Sequence, residues 1–347
     1  MSLQCKDNIK SQNHKIEFQL GKTKVRNILN VVLSLLLGCG ILWWMYRGFD
    51  FSQIKEVVSN EMDWSFMLLS MVFGVTAQLF RGLRWQQSLE PLGEHSRKST
   101  CIHAVFISYA SSLLIPRVGE VARCGVLSRY DKVSFAKSIG TVVTERIIDT
   151  LLIMFIVAVV IISQFGKFMG FFAKTGTNLN KFFSQFTTTG YIVTGICLTI
   201  TIFFLYWLWK KMTSYVHFRT IINDILSGIK SIKSVRRKWL FVTYTLGIWV
   251  SYFLHFYITF FCFSFSENLG LAVALVAFVV GSIAVIVPTP NGLGPWHFAV
   301  KTILVLYGVS AVNGETFVLI VHTLQTALIP LLGVFSLICL SFTSPKE

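Results

Sequence analysis

Long apolar runs constrain this chain more than any other feature of its sequence. The longest cover residues 28–46, 64–83, 139–163, 191–209, 240–265 and 316–342. Each is close to the roughly 20 residues that cross a bilayer as a helix, the form in which the backbone can satisfy its own hydrogen bonds in lipid. Only 14% of the residues are charged, whereas a soluble protein carries about a quarter. The sequence therefore predicts an all-α polytopic membrane protein rather than a large soluble helical core.

The basic residues fit a membrane topology better than a nucleic-acid partner. The formal net charge is +15, but the lysines and arginines cluster in loops beside the apolar runs, as orientation and anionic headgroups require. The polar segment 1–26 and the very basic loop 210–238 are both predicted to be cytoplasmic. We expect a protein of the bacterial cytoplasmic (inner) membrane with both termini in the cytoplasm, including the short tail 343–347.

The sequence lacks the common motifs of catalysis and metal binding. Its seven cysteines lie mostly in apolar runs without paired or metal-site spacing, and we interpret them as small packing residues. It contains no HExxH, no Walker loop and no nucleophile elbow. We therefore predict no cofactor, no metal and no enzymatic activity.

The apolar run 101–115 is short for a full span and is stopped by Pro116 and Gly119. Proline removes a backbone donor and glycine permits unusual dihedrals, so the helix is expected to end here. The following residues, 117–138, are too polar to face lipid. This pattern is typical of a re-entrant segment.

Charged residues at this first break suggest a headgroup site. The guanidinium of Arg117, together with freed backbone amides, could hold a lipid phosphate. Glu120 could pair with Arg117 or Arg123, or bind an amine or a proton. The alternative is a cytoplasmic loop with ordinary surface ion pairs.

A second charged group, Glu145, Arg146 and Asp149, lies in the first turns of the third predicted span. Glu145 and Asp149 are four residues apart and share one helix face. Acids at the start of a helix suit its positive end, which is a sufficient structural explanation. The alternative is a buried network with Arg117 or Arg123.

A second break interrupts the apolar context after the run 270–287. The residues assigned to it are Pro288, Pro290, Asn291, Gly292, Gly294 and His297. Half-helix ends at such a break offer backbone amides to an anionic headgroup. His297 either titrates near neutral pH or serves as a hydrogen-bonded helix residue.

Other charged or titratable residues inside the apolar runs receive structural interpretations. Arg81 and Arg84, near the end of the second predicted span, are taken as topology anchors. His255 and His322 lie within spans and are expected to be satisfied by neighbouring helices.

The order of these elements suggests an inverted repeat within one transmembrane domain, residues 27–342. Each half, about 27–163 and 190–342, reads span, span, broken hairpin, span, beginning inside in the first half and outside in the second. Six full spans and two re-entrant hairpins result, and in such folds the broken segments form the substrate site. The alternative is eight ordinary spans, two of them kinked by proline.

The three motifs together resemble a known family. Pro116-Arg-Val-Gly-Glu-Val-Ala-Arg123, Glu145-Arg-x-x-Asp149 and Pro288-x-Pro-x-Gly-Leu-Gly294 are similar to the lysylphosphatidylglycerol synthase transmembrane-region family. That family includes the flippase half of the multiple peptide resistance factor. The resemblance covers residues 28–340 and implies movement of a lipid between leaflets.

Two departures from the family pattern shape the expected substrate. Bifunctional members carry a further membrane region and a soluble aminoacyl-transferase domain, so we expect this chain not to synthesise the lipid. Many members have an acidic residue where this chain has His297, which favours an anionic headgroup such as a polyprenyl phosphate. We expect Arg117 and Arg123 to hold phosphate.

The remaining predicted roles complete this hypothesis. Glu120 and Glu145 would balance the arginine charges, and Gly292 and Gly294 would let the backbone approach the headgroup. A homodimer and a separate lipid-modifying enzyme are partners that the sequence allows. A membrane subunit of a lipid-modifying transferase and a small-solute or ion transporter remain alternative functions.

Overall fold

The computed structural model describes residues 36, 39–43, 45–47, 57–115, 118–164, 235–287 and 289–346. Residues 36, 39–43, 45 and 46 are helical, and from residue 64 onward the described residues form eight α-helices, joined by short 3₁₀ and irregular turns. The helices are α1 (Trp64–Leu89), α2 (Lys98–Leu114), α3 (Val118–Asp131), α4 (Phe135–Ser163), α5 (Lys238–Tyr257), α6 (Gly270–Ala284), α7 (Pro295–Leu306) and α8 (Ala311–Ser341). The segment 1–26, most of the predicted first span, the predicted fourth span, Pro116, Arg117 and Pro288 lie outside the described residues.

Five helical segments in the described part are long and apolar enough to cross a membrane. Four contain α1, α4, α5 and α8 and correspond to predicted spans. The fifth, Glu267–Ala284, contains α6, which was predicted as one arm of the second broken hairpin. The expectation of an all-α polytopic membrane protein is confirmed.

Two helices extend beyond their predicted ends, and this changes the environment of the charged residues. Helix α1 begins at the cap Asp63, whose carboxylate accepts a 2.8 Å hydrogen bond from the Ser65 amide, and it continues to Leu89. Helix α4 begins at Phe135, ahead of the predicted start at 139. The arginines of α1 and the acids of α4 are therefore interior helix residues, not end residues.

The two halves repeat one order of helices. In the described part of each half a long helix is followed by two shorter ones and then another long one, with 26, 17, 14 and 29 residues in the first half and 20, 15, 12 and 31 in the second. Helix α2 packs on α3 as α6 packs on α7, and α2 packs on α8 as α6 packs on α4.

Helices α1 and α5, which precede the broken hairpin in their respective halves, pack against each other and run antiparallel. Phe66 near the start of α1 lies 5.6 Å, between ring centroids, from Phe261 just beyond α5. Phe80, further along α1, lies 5.9 Å from Tyr244 near the start of α5. Equivalent helices that run in opposite directions are what an inverted repeat requires.

The first broken hairpin is held by close packing of α3 on α2. A Cβ atom added at Gly119 would collide with the Ser108 carbonyl oxygen and the Ser112 hydroxyl. Gly119 was predicted as a site residue, and in the structure it is a buried contact between the two helices of the hairpin.

The second break turns through left-handed backbone. Asn291, Gly292 and Gly294 have φ angles of 50°, 73° and 89°, a region that glycine enters freely and asparagine tolerates. The chain thereby reverses between α6 and α7, as the Pro- and Gly-rich sequence predicts.

Candidate functional site

A buried ion-pair network joins α1, α3 and α4. Arg84 donates to Asp149 at 2.8 Å and to Glu145 at 3.3 Å. Arg81 also donates to Asp149, at 2.9 Å, and Arg123 donates to Glu145 at 2.9 Å. The side chains of these five residues are at most 9% exposed.

Three guanidinium groups face two carboxylates in this network, so one positive charge is in excess. Asp149 is the fifteenth of 29 residues in α4, far from the helix end whose dipole would favour an acid. The helix-end interpretation of Glu145 and Asp149 is therefore wrong, and the buried-network alternative is confirmed for Arg123. Desolvating such ions costs several kcal/mol each unless partners compensate.

Arg81 and Arg84 are not topology anchors, because both side chains are buried within the protein. Their positions three apart on an apolar helix were a signal in the sequence, since residues at that spacing share a face. Two cations on one face of a buried helix require acids opposite them.

Arg123 was predicted to hold phosphate, and its surroundings are those of a structural residue. It is 1% exposed, and its guanidinium carbon lies 4.6 Å from the centre of the Trp85 ring. The Trp85 indole in turn donates a 3.0 Å hydrogen bond to Thr141. These contacts lock α3 against α1 and α4.

A cavity of about 450 Å³ lies between the two halves, next to the network. Both halves line it, with charged residues from the first half and mostly neutral polar residues from the second. Its charged and polar lining includes Gln78, Arg81, Tyr109, Arg146, Asp149, Tyr252, Ser282, Asn291, His322, Gln325 and Thr326. Two indoles, Trp249 and Trp296, also line it.

The charged wall of the cavity carries two arginines and one acid. The Arg81 guanidinium carbon lies 6.0 Å and 5.7 Å from the ring centres of Tyr109 and Tyr252, whose hydroxyls are 2.8 Å apart. Arg146 forms a 2.6 Å ion pair with Glu120, and the two side chains are 45% and 38% exposed. Arg146 is thus the accessible cation of the cavity, and Glu120 pairs with it rather than with Arg123.

The opposite wall is held by hydrogen bonds between the second break and α8. The Asn291 side-chain amide donates to Thr326 at 2.8 Å, and the Asn291 carbonyl lies 3.1 Å from His322 Nε2. Asn291 is the residue of the second break that lines the cavity among those described.

The other predicted residues of the second break lie behind this wall. Pro290, Gly292, Gly294 and His297 are not among the cavity-lining residues. The Gly292 amide donates to the Thr289 carbonyl at 3.3 Å, and the Gly294 amide donates to His297 Nδ1 at 3.4 Å. These backbone donors are used within the turn.

His297 is 1% exposed, and its ring centre is 4.4 Å from that of His322. Of the two histidines, His322 reaches the cavity. The sequence assigned no site role to His322 or Gln325. Both lie within an apolar run, and the spacing alone does not show which face of that helix lines a cavity.

These features define a class: polytopic helical membrane proteins built from two inverted halves, with broken helices and a charged cavity between them. The chain belongs to the lysylphosphatidylglycerol synthase TM region family, whose profile matches residues 31–333. This match confirms the family resemblance found in the motifs.

A weaker similarity connects the chain to a larger protein. It is 25% identical over 142 residues to Glycosyltransferase AglD of Haloferax volcanii, covering 41% of this chain and 23% of that protein. The match therefore spans less than a quarter of the length of that relative. No solved structure matches the chain.

Proposed function

We propose that this protein moves a lipid with an anionic headgroup between membrane leaflets, as a flippase or scramblase. The single observation that carries the proposal is the cavity between the halves, which is lined by two arginines and one carboxylate. The family description names a lipid, lysylphosphatidylglycerol. Phospholipids and polyprenyl phosphates both carry a phosphate anion, which the arginines in the cavity lining favour.

Arg146 and Arg81 are the side chains that we assign to the headgroup. Guanidinium binds phosphate oxygens in a bidentate manner, and a phosphate at Arg146 can take the place of the half-exposed Glu120 carboxylate. The acyl chains can remain in the bilayer, so only the headgroup needs the polar cavity. Arg84 and Arg123, paired and buried, hold the helices around it.

The experiment is translocation of fluorescent anionic phospholipids in proteoliposomes, comparing the parent with Arg146→Gln. Loss of one ionic hydrogen-bonding partner should slow transport roughly tenfold or more. Arg129→Gln is the matched control, because Arg129 lies exposed on α3 and does not line the cavity.

We expect Arg129→Gln to transport at the parent rate. Equal slowing by both substitutions would indicate a general charge effect and not a site. If the parent moves no lipid at all, the flippase proposal fails.

A second candidate function is a membrane subunit of a lipid-modifying transferase. The similarity to a protein described as a glycosyltransferase favours it. In that case the cavity would present a lipid acceptor to a catalytic partner. Co-purification with a soluble transferase, together with no translocation by the purified chain, would support this function over the first.

A further inference from the structure

Three carboxamide side chains line the cavity, and their nitrogen atoms already have protein partners. Gln78 Nε2 donates to the Tyr252 hydroxyl at 3.3 Å, and Asn291 Nδ2 donates to Thr326. Gln325 Nε2 donates to the Ser70 hydroxyl at 3.0 Å and to the His255 carbonyl at 2.7 Å. Gln325 thus uses both of its N–H donors, and Gln78 and Asn291 each use one, so the amide oxygens of these side chains remain available as acceptors.

The orientation of one amide follows from chemistry. A backbone carbonyl can only accept a hydrogen bond, so the Gln325 atom beside the His255 carbonyl must be the nitrogen. The Gln325 oxygen is therefore directed away from that bond. Gln78 is 8% exposed, and its Oε1 has no hydrogen-bond partner in the described part of the chain, a state that is costly unless a ligand supplies a donor.

Amide oxygens accept hydrogen bonds from hydroxyl groups or from ammonium groups. The charges that line the same cavity, Arg81 and Arg146 against Asp149, sum to a positive excess, which disfavours an ammonium. Hydroxyl groups supply donors without charge. The indoles of Trp249 and Trp296 add flat apolar surfaces against which the carbon face of a polyol can pack.

We propose that the cavity selects lipids whose anionic phosphate carries a polyhydroxyl headgroup, such as glycerol, inositol or a sugar. The phosphate lies at Arg146 and Arg81, and the hydroxyls donate to the amide oxygens of Gln78, Asn291 and Gln325. This inference rests on the proposed lipid transport and specifies its substrate class.

The experiment measures translocation of four acyl-labelled lipids in proteoliposomes of neutral carrier lipid. The probes are phosphatidylglycerol, phosphatidylinositol, phosphatidic acid and phosphatidylethanolamine. We expect the two polyol lipids to move about fivefold faster than phosphatidic acid, the gain from about one additional net hydrogen bond. Phosphatidylethanolamine, which carries an ammonium, should move slowest.

Two matched variants on one helix locate the selectivity. Gln78→Met removes the unpartnered oxygen and should bring the rates of the polyol lipids and of phosphatidic acid together. Gln86→Met is the control, because Gln86 bonds Glu90 at 2.8 Å and does not line the cavity; it should keep the preference.

The outcomes separate this inference from the transport proposal. Phosphatidic acid moving as fast as the polyol lipids in the parent would overturn the inference and leave lipid transport intact. A preference for phosphatidylethanolamine would indicate that an ammonium, and not hydroxyl groups, donates to the amide oxygens, and this result would also overturn the inference. If no lipid moves, the transport proposal itself fails. The comparison of the four lipids in the parent protein tests the inference even if Gln78→Met does not fold.

Discussion

At the scale of single residues, Glu145 accepts hydrogen bonds from two buried arginines on different helices, Arg84 and Arg123. Glu145→Gln removes the charge and leaves two buried cations with one fewer counter-ion. We expect the free energy of unfolding in mixed micelles to fall by about 3–5 kcal/mol, as when one partner of a buried pair is removed.

The control for this prediction is Glu267→Gln, an identical substitution at an exposed residue. Its effect should stay within about 0.5 kcal/mol. Equal stability of both variants would show that the buried carboxylate is dispensable and that the network does not hold α1, α3 and α4 together.

Glu120 offers a different prediction, because its ion pair with Arg146 is half exposed. A carboxylate at this position competes with a lipid phosphate for the guanidinium. We therefore expect Glu120→Gln to increase the apparent affinity for anionic lipid severalfold, with little change in stability since exposed ion pairs contribute about 0–1 kcal/mol. Binding of labelled anionic lipid to the purified protein measures it, and weaker binding would contradict the competition.

Only part of this network could be predicted from the sequence. The spacing of Glu145 and Asp149 placed both on one helix face, as the structure confirms. It could not supply Arg81 or Arg84, because these lie more than 60 residues away in the chain and meet the acids only through tertiary packing. The spacing of residues in a helix predicts which of them share a face, but it does not predict which residues of other helices pack against that face.

At the scale of helices, Gly119 fixes how closely α3 approaches α2. Gly119→Ala places a methyl group against the Ser108 carbonyl, which cannot move without disturbing α2. We expect the hairpin to shift, with a loss of stability of about 1–3 kcal/mol, the usual cost of overpacking, and reduced transport.

Gly125→Ala on the same helix is the matched control, since a Cβ there meets no atom within 4 Å. Alanine is the better helix former by about 1 kcal/mol, so this variant should be slightly more stable than the parent. Thermal unfolding in detergent measures both, and a parallel effect of the two substitutions would contradict the packing role of Gly119.

The breaks in the helices were predictable because proline and glycine act locally. The lengths of α1 and α4 were not, since the sequence suggested that charge ends a span, whereas the structure places charged residues in the helix interior and pairs them there. The prediction had assumed that water surrounds these charged side chains, but ion pairs between helices surround them instead.

At the scale of the whole molecule, hydrogen bonds between connecting segments mark two opposite ends of helix α1. At one end Arg97 pairs with Asp131 at 2.6 Å and donates to the Ser344 carbonyl at 3.1 Å. At the other, the Asp63 amide donates to the Cys262 carbonyl at 3.0 Å. Helix α1, 26 residues long, extends from one end to the other over roughly 39 Å at 1.5 Å per residue, more than the roughly 30 Å hydrocarbon core.

This arrangement predicts which positions share a side of the membrane. Single cysteines at His95→Cys and Ser344→Cys, in a variant without the native cysteines, should react from one side with a membrane-impermeant maleimide. Glu61→Cys and Asn268→Cys should react from the other. All four positions are exposed, so access depends on the side of the membrane alone.

Since positively charged loops remain in the cytoplasm, the first pair should be labelled only in inverted vesicles. Labelling of all four from one side would contradict the antiparallel halves, and the two pairs exchanging sides would keep the inverted repeat but reverse its orientation.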